Sequence, residues 1–304
     1  MKYIKPPLTF EQQADLLIKR GLVADKNLLI ERLSVVNYYR FSGYLYPFRN
    51  DDDTFKPGTT FESVWRRYTF DRRLRILCMD AIERVEVAIR TQLIYLFAHT
   101  YGAFAYTEAS NLPKLNKNQH LNWTGKLKNE IDRSKEIFLK HFFEKYGAEH
   151  DMPPIWMVSG IMSFGVMLTM FDGIEPEIKR KIASEYMLTD TILRSWLKSI
   201  NAVRNNCAHN SRLWNSTLGY RPIIPHNIKK HPDWHSPVKI NNDKIFAVLT
   251  VLQYLLHYMA PQSKWSDRLL SLLSEYSDIP IKYMGFPDDW KSCPIWKSTD
   301  TENK

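Results

Sequence analysis

The sequence predicts an all-α fold, and three observations support that prediction. Almost every periodic stretch of apolar residues repeats at the spacing of an α-helix rather than of a strand. Glycine is scarce, with 11 residues among 304, which argues against a sheet-rich or dinucleotide-binding design. The chain also lacks a glycine-rich phosphate loop. We therefore expect a helical bundle with an N-terminal helical extension and a C-terminal helical pair. The alternative architecture adds a small strand insertion between residues 210 and 242.

The N-terminal region contains signals for two short helices. Thr9 followed by Gln12 is a capping-box pattern, and Gly21 is placed to end that helix. A second helix is predicted over residues 25–37. An aromatic block follows over residues 38–49, in which most rings are expected to lie in the core. An acidic, turn-forming run ends the block.

The longest helical pattern runs from Phe61 to about His99. One face of it carries a mainly apolar stripe: Leu74, Leu77, Ala81, Val85, Ala88, Gln92 and Leu96. The opposite face carries Glu83, Glu86 and Arg90, which we interpret as a solvated face with Glu86 and Arg90 spaced for an ion pair. Five arginines at the start of this helix form a cluster, part of which is a candidate for phosphate contacts: Arg66, Arg67, Arg72, Arg73 and Arg75.

Further helices are predicted in the rest of the chain, separated by a loop over residues 107–119 and by the irregular or short-strand segment 210–242. Their expected ranges are 123–145, 155–171, 177–185, 190–207, 244–260 and 263–276. The range 155–171 has no charge and reaches the lower length limit of a membrane-spanning helix. Its serines and glycines and the two prolines before it favour a buried core helix instead. Residues 298–304 are expected to be disordered.

Composition places the chain among soluble globular proteins and favours an anionic partner. Apolar residues make up 44% and charged residues 25%, which excludes a disordered or fibrous chain. The formal net charge of +9 favours nucleic acid or an anionic membrane surface as a partner. The three cysteines lie far apart and predict neither a disulfide framework nor a zinc site. With no apolar signal core at the N-terminus, we expect a cytoplasmic protein organised as segments 1–58, 59–225 and 226–304.

The helix predicted to begin with Asp190 as its cap carries the pattern with the most chemical content. Its apolar stripe ends at Cys207, and Arg204 falls inside that stripe, where an unpaired guanidinium is expensive. On a continuous helix Arg204 and His209 point about 140° apart, so they converge only if the helix ends or deforms near Ala208. By itself the pattern leaves an alternative open, in which Arg204 pairs with a buried acid and His209 caps the helix end.

Several blocks of the sequence resemble one bacterial protein family. The string RNNCAHNSRLWN looks like the Arg-x4–6-His motif of HEPN ribonucleases. The blocks KPPLTFEQQADLLIKRGL, NYYRFSGYLYPFR, IERVEVAIRTQL and PPIWMVSGIMSFG resemble, in the same order, the Abi-like (AbiD/AbiF) abortive-infection proteins. The similarity covers roughly residues 5–225, and the later MGFPDDWKSCPIW resembles the ending of many members. One position departs from the family pattern, because Gly160 stands where an acidic residue is common.

The resemblance implies a HEPN-like helical bundle, a toxin-like role in phage defence, and cleavage of RNA without a metal ion or other cofactor. RNA supplies its own nucleophile, the 2′-hydroxyl, so the protein has to move protons and stabilise a charged phosphorane. Under this hypothesis Arg204 holds phosphate oxygens and His209 exchanges protons. Asn205 shares a helix face with His209 and orients either the imidazole or a phosphate oxygen. These three residues are the catalytic candidates.

The partners that follow are RNA and a second copy of the chain. HEPN enzymes pair two motifs across a dimer, and this chain holds one motif, so the resemblance implies a homodimer. Some relatives occur beside a small RNA, which makes an inhibitory small RNA a candidate antitoxin. The candidates for RNA contact come from the aromatic block, the arginine cluster and the segment after the motif: Tyr39, Arg40, Arg49, Arg66, Arg67 and Arg212.

Two other interpretations of the sequence compete with the nuclease. His226, His231 and His235 have spacings that could suggest a metal site, but their segment is proline-rich and offers only Asp233 as an acid nearby, so we expect none. The alternative function is a non-catalytic HEPN module that binds a small RNA or a protein partner. The sequence leaves the target RNA, the activating trigger and the antitoxin open.

Overall fold

A computed structural model describes residue 2, residues 6–229 and residues 231–297. Within this part of the chain there are twelve α-helices and no β-strand, which confirms the all-α prediction. The helices are α1 (Phe10–Lys19), α2 (Lys26–Val36), α3 (Tyr38–Leu45), α4 (Phe61–Tyr101), α5 (Lys117–Arg133), α6 (Ile137–Tyr146), α7 (Ile155–Val158), α8 (Phe164–Gly173), α9 (Pro176–Ser184), α10 (Asp190–Ala208), α11 (Ile245–Met259) and α12 (Trp265–Glu275). The expected disorder of residues 298–304 lies outside the described residues.

The described residues form two compact units. The first contains the residues up to Ile76 together with Leu269–Pro280. The second contains Leu77–Arg268 together with the residues from Ile281 onward. The three-segment organisation drawn from the sequence stays a prediction.

The capping signals at the start of the first unit are confirmed. The Thr9 hydroxyl accepts a hydrogen bond from the Gln12 N–H at 3.2 Å, and the Gln12 side chain accepts one from the Thr9 N–H at 2.9 Å. Gly21 follows α1 with φ +98°, a left-handed conformation that favours glycine. Asp25 caps α2 by accepting a hydrogen bond from the Leu28 N–H at 2.7 Å.

The aromatic block 38–49 forms α3 and a short 3-10 turn, and two of its rings build the core of the first unit. Phe41 and Tyr44 are 1% and 2% exposed. Phe41 lies 5.7 Å from Phe61 between ring centroids, and Tyr44 meets Tyr68 edge-on at 5.5 Å. Aromatic packing between α3 and the start of α4 therefore holds the block in place.

α4 ends within two residues of its predicted limit, but its buried face departs from the predicted stripe in its C-terminal half. The stripe is buried as predicted at Leu74, Ala81 and Val85, whereas the predicted Leu77 is half-buried. Beyond that point the buried positions are Ile89, Leu93, Ile94 and Phe97. The predicted Ala88, Gln92 and Leu96 are only half-buried. The shift of one residue encloses the larger side chains, which bury more apolar area than alanine and glutamine do.

Glu86 and Arg90 form the predicted ion pair on α4. Their side chains are 16% and 17% exposed, so the prediction that this face is solvated is wrong for them. Glu83, on the same predicted face, is exposed.

In the second unit, two of the predicted helices are each interrupted by a break. The first is the helix predicted over residues 123–145. It is replaced by α5 and α6, which are separated at Ser134 by extended backbone (ψ 139°). The Ser134 hydroxyl accepts a hydrogen bond from the Glu136 N–H at 3.3 Å, a local contact that competes with helical bonding. The predicted loop is also too long, because α5 already begins at Lys117.

The charge-free stretch 155–171 is the second divided helix, and it forms the single turn α7 and the longer α8. After the turn between them, the Ser163 N–H donates to the Glu130 carboxylate at 3.3 Å, so a contact with α5 stabilises the break. Most of α8 is buried, as expected of a core helix. Among the described residues, no helix combines the length and apolar character needed to cross a membrane.

The described residues of the segment 210–242 are irregular, as predicted, and three hydrogen bonds attach this segment to α10. The Trp196 indole N–H donates to the Ile223 carbonyl at 2.7 Å. The Ser199 hydroxyl donates to the Tyr220 carbonyl at 2.8 Å, and the Ser195 hydroxyl accepts from the Ile223 N–H at 2.8 Å. The described residues of this segment contain one isolated β-bridge and no strand, so the strand insertion is not found in them.

Residues 285–296 pack around the start of α11. Phe246 lies 4.3 Å from Phe286 between ring centroids. The Trp296 indole N–H donates to the buried Thr250 hydroxyl at 3.2 Å. Gly285 has φ +87°, and a Cβ there would lie 2.5 Å from the Lys244 Cβ, so this turn requires glycine.

Candidate active site

α10 positions the candidate catalytic residues. Its cap is Thr189, whose hydroxyl accepts a hydrogen bond from the Ile192 N–H at 3.3 Å, so the prediction of Asp190 as the cap is wrong by one residue. Asp190 lies in the first turn, where a carboxylate complements the helix dipole. The apolar stripe that anchors the helix is buried, with Ile192 half-buried at its edge: Leu193, Trp196, Leu197, Ile200, Val203 and Cys207.

α10 ends at Ala208 and is followed by a left-handed residue, Asn210, with φ +58°. The Asn210 N–H donates to the Cys207 carbonyl at 3.0 Å, and the Ser211 N–H donates to the Asn206 carbonyl at 2.7 Å. These two bonds define a Schellman motif, which satisfies carbonyls that a helix end leaves open. The expectation that the helix ends near Ala208 is confirmed.

Arg204 lies at the edge of the buried stripe, one turn before the helix ends. Its side chain is half-buried, and its Nε is buried without a hydrogen-bond partner. Within the described residues, the guanidinium forms no ion pair, so the buried acid of the structural alternative is not found there. The arrangement leaves a cation, partly shielded from water, for which the described part of the chain offers no anion.

Asn205 and His209 are both exposed to solvent near the end of α10. The His209 N–H donates to the Asn205 carbonyl at 2.9 Å, and His209 is the C-cap residue. Among the described residues, no hydrogen bond links the side chains of Arg204, Asn205 and His209 to one another. The structure therefore places the three on one helix end, open to a ligand, without joining them into a preformed hydrogen-bonded set. Their catalytic roles stay predictions.

The neighbouring residues of the motif differ in accessibility. Arg212 is half-buried, and the two residues after it, Leu213 and Trp214, are 2% and 1% exposed.

Gly160, where the family pattern has an acid, is exposed between α7 and α8. A Cβ at Gly160 would meet no atom closer than 3.4 Å, so the backbone there does not require glycine.

In the first unit, two of the predicted RNA-contact residues lie in the first turn of α3. The Tyr39 ring is 86% exposed and is available to stack on a base. Arg40 is half-buried, with its guanidinium 5.9 Å from the centroid of the Tyr68 ring. Both N–H groups are capped by the Asn37 side chain, which fixes the start of the helix.

The other predicted contacts in the first unit already have partners. Arg49 forms an ion pair with Asp53, and Arg66 forms one with Asp278 at 2.7 Å. Arg67 donates to a carbonyl of its own helix at 2.6 Å. A phosphate would have to compete with these contacts, so a role in RNA binding stays a prediction for all three.

The histidines weighed as metal ligands do not converge. His235 is buried, and its two ring nitrogens face the Val238 and Pro225 carbonyls at 2.7 and 3.1 Å. His226 and His231 are exposed. The described residues contain no group of three or more His, Cys, Asp or Glu placed to hold a metal ion.

The structure is that of an all-α protein whose second unit carries an Arg-x4-His pattern at an exposed helix end. The family model described as Abi-like protein matches residues 31–215, more than half of the 304 residues. The chain therefore belongs to the Abi-like protein family. No curated protein and no solved structure matches the chain.

Proposed function

We propose that this protein is a HEPN-type endoribonuclease of abortive infection, which cleaves cytoplasmic RNA without a metal ion. Membership of the Abi-like family supports a role in phage defence. The observation that carries the nuclease part is Arg204, a partly shielded cation with an unsatisfied Nε on the same helix end as the exposed His209. A phosphate group would supply the missing partner through charge-assisted hydrogen bonds.

The proposed reaction is internal transesterification of RNA. The 2′-oxygen attacks the adjacent phosphorus and gives its proton to a base, and the P–O bond to the 5′-oxygen breaks as that oxygen takes a proton from an acid. The products are a 2′,3′-cyclic phosphate and a 5′-hydroxyl end. His209 serves as base or acid, because imidazole exchanges protons near neutral pH. Arg204 holds two non-bridging oxygens, and Asn205 orients the imidazole or the phosphate.

The acid and the base have to act on opposite sides of one phosphate, and each chain carries one Arg-x4-His pattern. The proposal therefore includes a homodimer in which two α10 ends face one RNA. The net charge of +9 supports an RNA partner, since basic proteins attract polyanions. An inhibitory small RNA would act as the antitoxin.

The test is cleavage of total bacterial RNA by purified wild type and by two variants, His209→Ala and Arg204→Lys. We expect wild-type cleavage to persist in EDTA and to leave 2′,3′-cyclic phosphate ends. Cleavage should be abolished when the nucleotide 5′ of the cut carries a 2′-O-methyl group, because the nucleophile is then blocked. His209→Ala should lose roughly 10²-fold or more, the share of a general acid–base residue. Arg204→Lys should also be impaired, because an ammonium cannot make the two-pronged contact.

Matched controls are His226→Ala and Arg221→Lys, which change exposed residues of the same types away from the helix end. Both should cleave like wild type. RNA binding without cleavage, combined with equal toxicity of wild type and His209→Ala in a bacterial host, would instead support the non-catalytic binding module.

A further inference from the structure

A cavity of about 580 Å³ lies where four helices of the second unit meet. We call it the α5–α10 pocket, and its lining comes from α5, α8, α9, α10 and the segment before α5: Lys114, Leu115, Gln119, Asn122, Trp123, Lys126, Thr169, Asp172, Lys179 and Arg194. Its volume falls within the range of small-molecule sites, about 300–1,000 Å³. Arg194 precedes Arg204 by ten residues on α10, about 15 Å along the axis, so the pocket is separate from the candidate active site.

The lining of the pocket carries an excess of positive charge. Four of its residues are cations and one, Asp172, is a carboxylate. That carboxylate is already engaged, because Arg194 donates to it from Nε at 2.5 Å and from Nη2 at 2.9 Å. Lys198, outside the lining, approaches it at 3.4 Å. Lys114 and Lys126 are exposed at the rim and form no ion pair among the described residues.

Lys179 is the most enclosed of the four cations, with 9% of its side chain exposed. Its ammonium donates to the Asp172 backbone carbonyl at 2.6 Å, a single bond from a group with three donors. Burial lowers the pKa of Lys179, while Asp172 and Asp190 raise it and Arg194 and Lys114 lower it. An anion beside the ammonium would offset the cost of burying its charge.

Hydrogen bonds and one close approach hold together the elements that line the pocket. The Lys114 N–H donates to the Gly173 carbonyl at 3.0 Å, which ties the segment before α5 to the end of α8. A Cβ on Gly173 would lie 2.8 Å from the Leu115 Cγ, so this close approach depends on glycine. The Trp123 indole N–H donates to the Val166 carbonyl at 2.9 Å and fixes the apolar wall.

Uncharged donors complete the lining beside the cations. The Gln119 carbonyl oxygen is used in capping α5, which leaves its amide nitrogen available to a ligand. Asn122 is exposed at the rim, one residue before Trp123. The pocket thus combines several cations, side-chain amides and a small apolar wall, and its volume exceeds what inorganic phosphate alone would fill.

We infer that the α5–α10 pocket binds a nucleotide through its terminal phosphate, with Lys114, Lys126 and Lys179 on the phosphate and Gln119 and Asn122 on the sugar or base. The nucleotide is either free or the 5′-phosphorylated end of an RNA. This site lies beyond the proposed nuclease chemistry and does not depend on it.

The test is calorimetric titration of the full chain with ATP, AMP, inorganic phosphate and short oligoribonucleotides that carry a 5′-phosphate or a 5′-hydroxyl. RNA titrations use His209→Ala, in which the proposed nuclease activity is removed and the pocket lining is unchanged. Binding to the pocket is therefore measured independently of RNA cleavage. We expect nucleotides to bind more tightly than inorganic phosphate. A free-nucleotide site would bind ATP or AMP more tightly than either RNA, whereas an RNA-end site would distinguish the 5′-phosphate from the 5′-hydroxyl.

The decisive variant is Lys114→Gln with Lys126→Gln, which removes two exposed charges and leaves the core intact. It should weaken nucleotide binding by about tenfold or more, as expected for lost charge-assisted contacts. Asn122→Asp, which adds a carboxylate at the rim, should also weaken it. The control, Lys135→Gln with Lys239→Gln, makes the same charge change at exposed positions elsewhere. Equal weakening by the two double variants, or no binding of any nucleotide probe, would overturn the inference.

Discussion

Asp71 and Arg75 form an ion pair that is almost completely enclosed within the first unit. The carboxylate of Asp71 is 0% exposed and the guanidinium of Arg75 is 5% exposed, one helical turn apart on α4. The Tyr44 hydroxyl donates to the same carboxylate oxygen. In the sequence, Arg75 belongs to a cluster considered for phosphate contacts, but in the structure it serves to neutralise a buried acid.

Breaking this pair should destabilise the protein strongly. Arg75→Met removes one partner of a buried ion pair, a change that typically costs about 3–5 kcal/mol. Asp71→Leu combined with Arg75→Met should recover part of that loss, because both charges of the pair are then removed. Lys181→Met, which breaks the exposed pair with Glu177, is the control and should change little. Urea denaturation measures all three, and equal losses for Arg75→Met and Lys181→Met would contradict the prediction.

Alkaline pH should destabilise the fold through its buried tyrosines. Burial raises the pKa of Tyr186 to about 12, and it also raises the pKa of Tyr44, Tyr106 and Tyr254. Below pH about 10, the unfolded value of the tyrosine pKa, the hydroxyls are protonated in both states and the buried tyrosines contribute their full stability. As the pH rises from there toward the folded-state pKa, the unfolded state releases its protons first, so this contribution to the free energy of unfolding is lost. The free energy of unfolding, measured by urea denaturation at increasing pH, should therefore fall.

The Tyr186→Phe variant isolates one contribution to this fall. It should lose less stability than wild type in the alkaline range, since one ionising group is gone. Tyr39→Phe, in a ring that is 86% exposed, serves as the control and should follow the wild-type curve. Identical alkaline curves for wild type and Tyr186→Phe would count against the explanation.

The left-handed turn that ends α10 should tolerate glycine and reject a β-branched residue. Asn210→Gly keeps φ +58° accessible and should be less destabilising than a β-branched substitution at the same position. Asn210→Val should cost about 1–2 kcal/mol, the strain of an L-residue in this region. Asn206→Val, inside the helix, is the matched control and should cost less. If the helix end orients His209, Asn210→Val should also reduce cleavage more than Asn206→Val does.

The proposed dimer predicts a solution mass of two chains. Because Arg204 lies at the edge of the buried stripe near the proposed dimer contact, Arg204→Glu should shift the mass toward one chain, whereas Arg221→Glu should not. Light scattering at micromolar concentration, with and without RNA, measures this. A mass of one chain for wild type under both conditions would rule the dimer out.

Helical periodicity predicted most elements of this fold, but not the breaks within two of them. The turn between α7 and α8 lies in a stretch without charged residues, and the glycine in this turn, Gly160, is of a type that the same stretch also carries inside α8. A distant contact, from the Ser163 N–H to Glu130, stabilises it. The break at Ser134 depends on one side-chain-to-backbone bond within residues that otherwise favour helix. Neither cause can be derived from residue spacing.

The candidate site could likewise be predicted from the sequence only in part. The end of α10 follows from Asn210, whose tolerance of left-handed backbone is a local property. The missing partner of Arg204 depends on which acids lie nearby in three dimensions. The α5–α10 pocket was not predicted, because its cations come from four separate parts of the chain and no single stretch of sequence reveals them.

The attachment of residues 210–242 to α10 bears on the smallest portion of the chain that can be studied alone. The family match stops at residue 215, but Trp196 reaches its hydrogen-bond acceptor at Ile223 and packs against Trp234 and Tyr254. A fragment cut at the family boundary would expose a tryptophan that is 0% exposed in the intact chain. We therefore expect such a fragment to aggregate instead of folding alone.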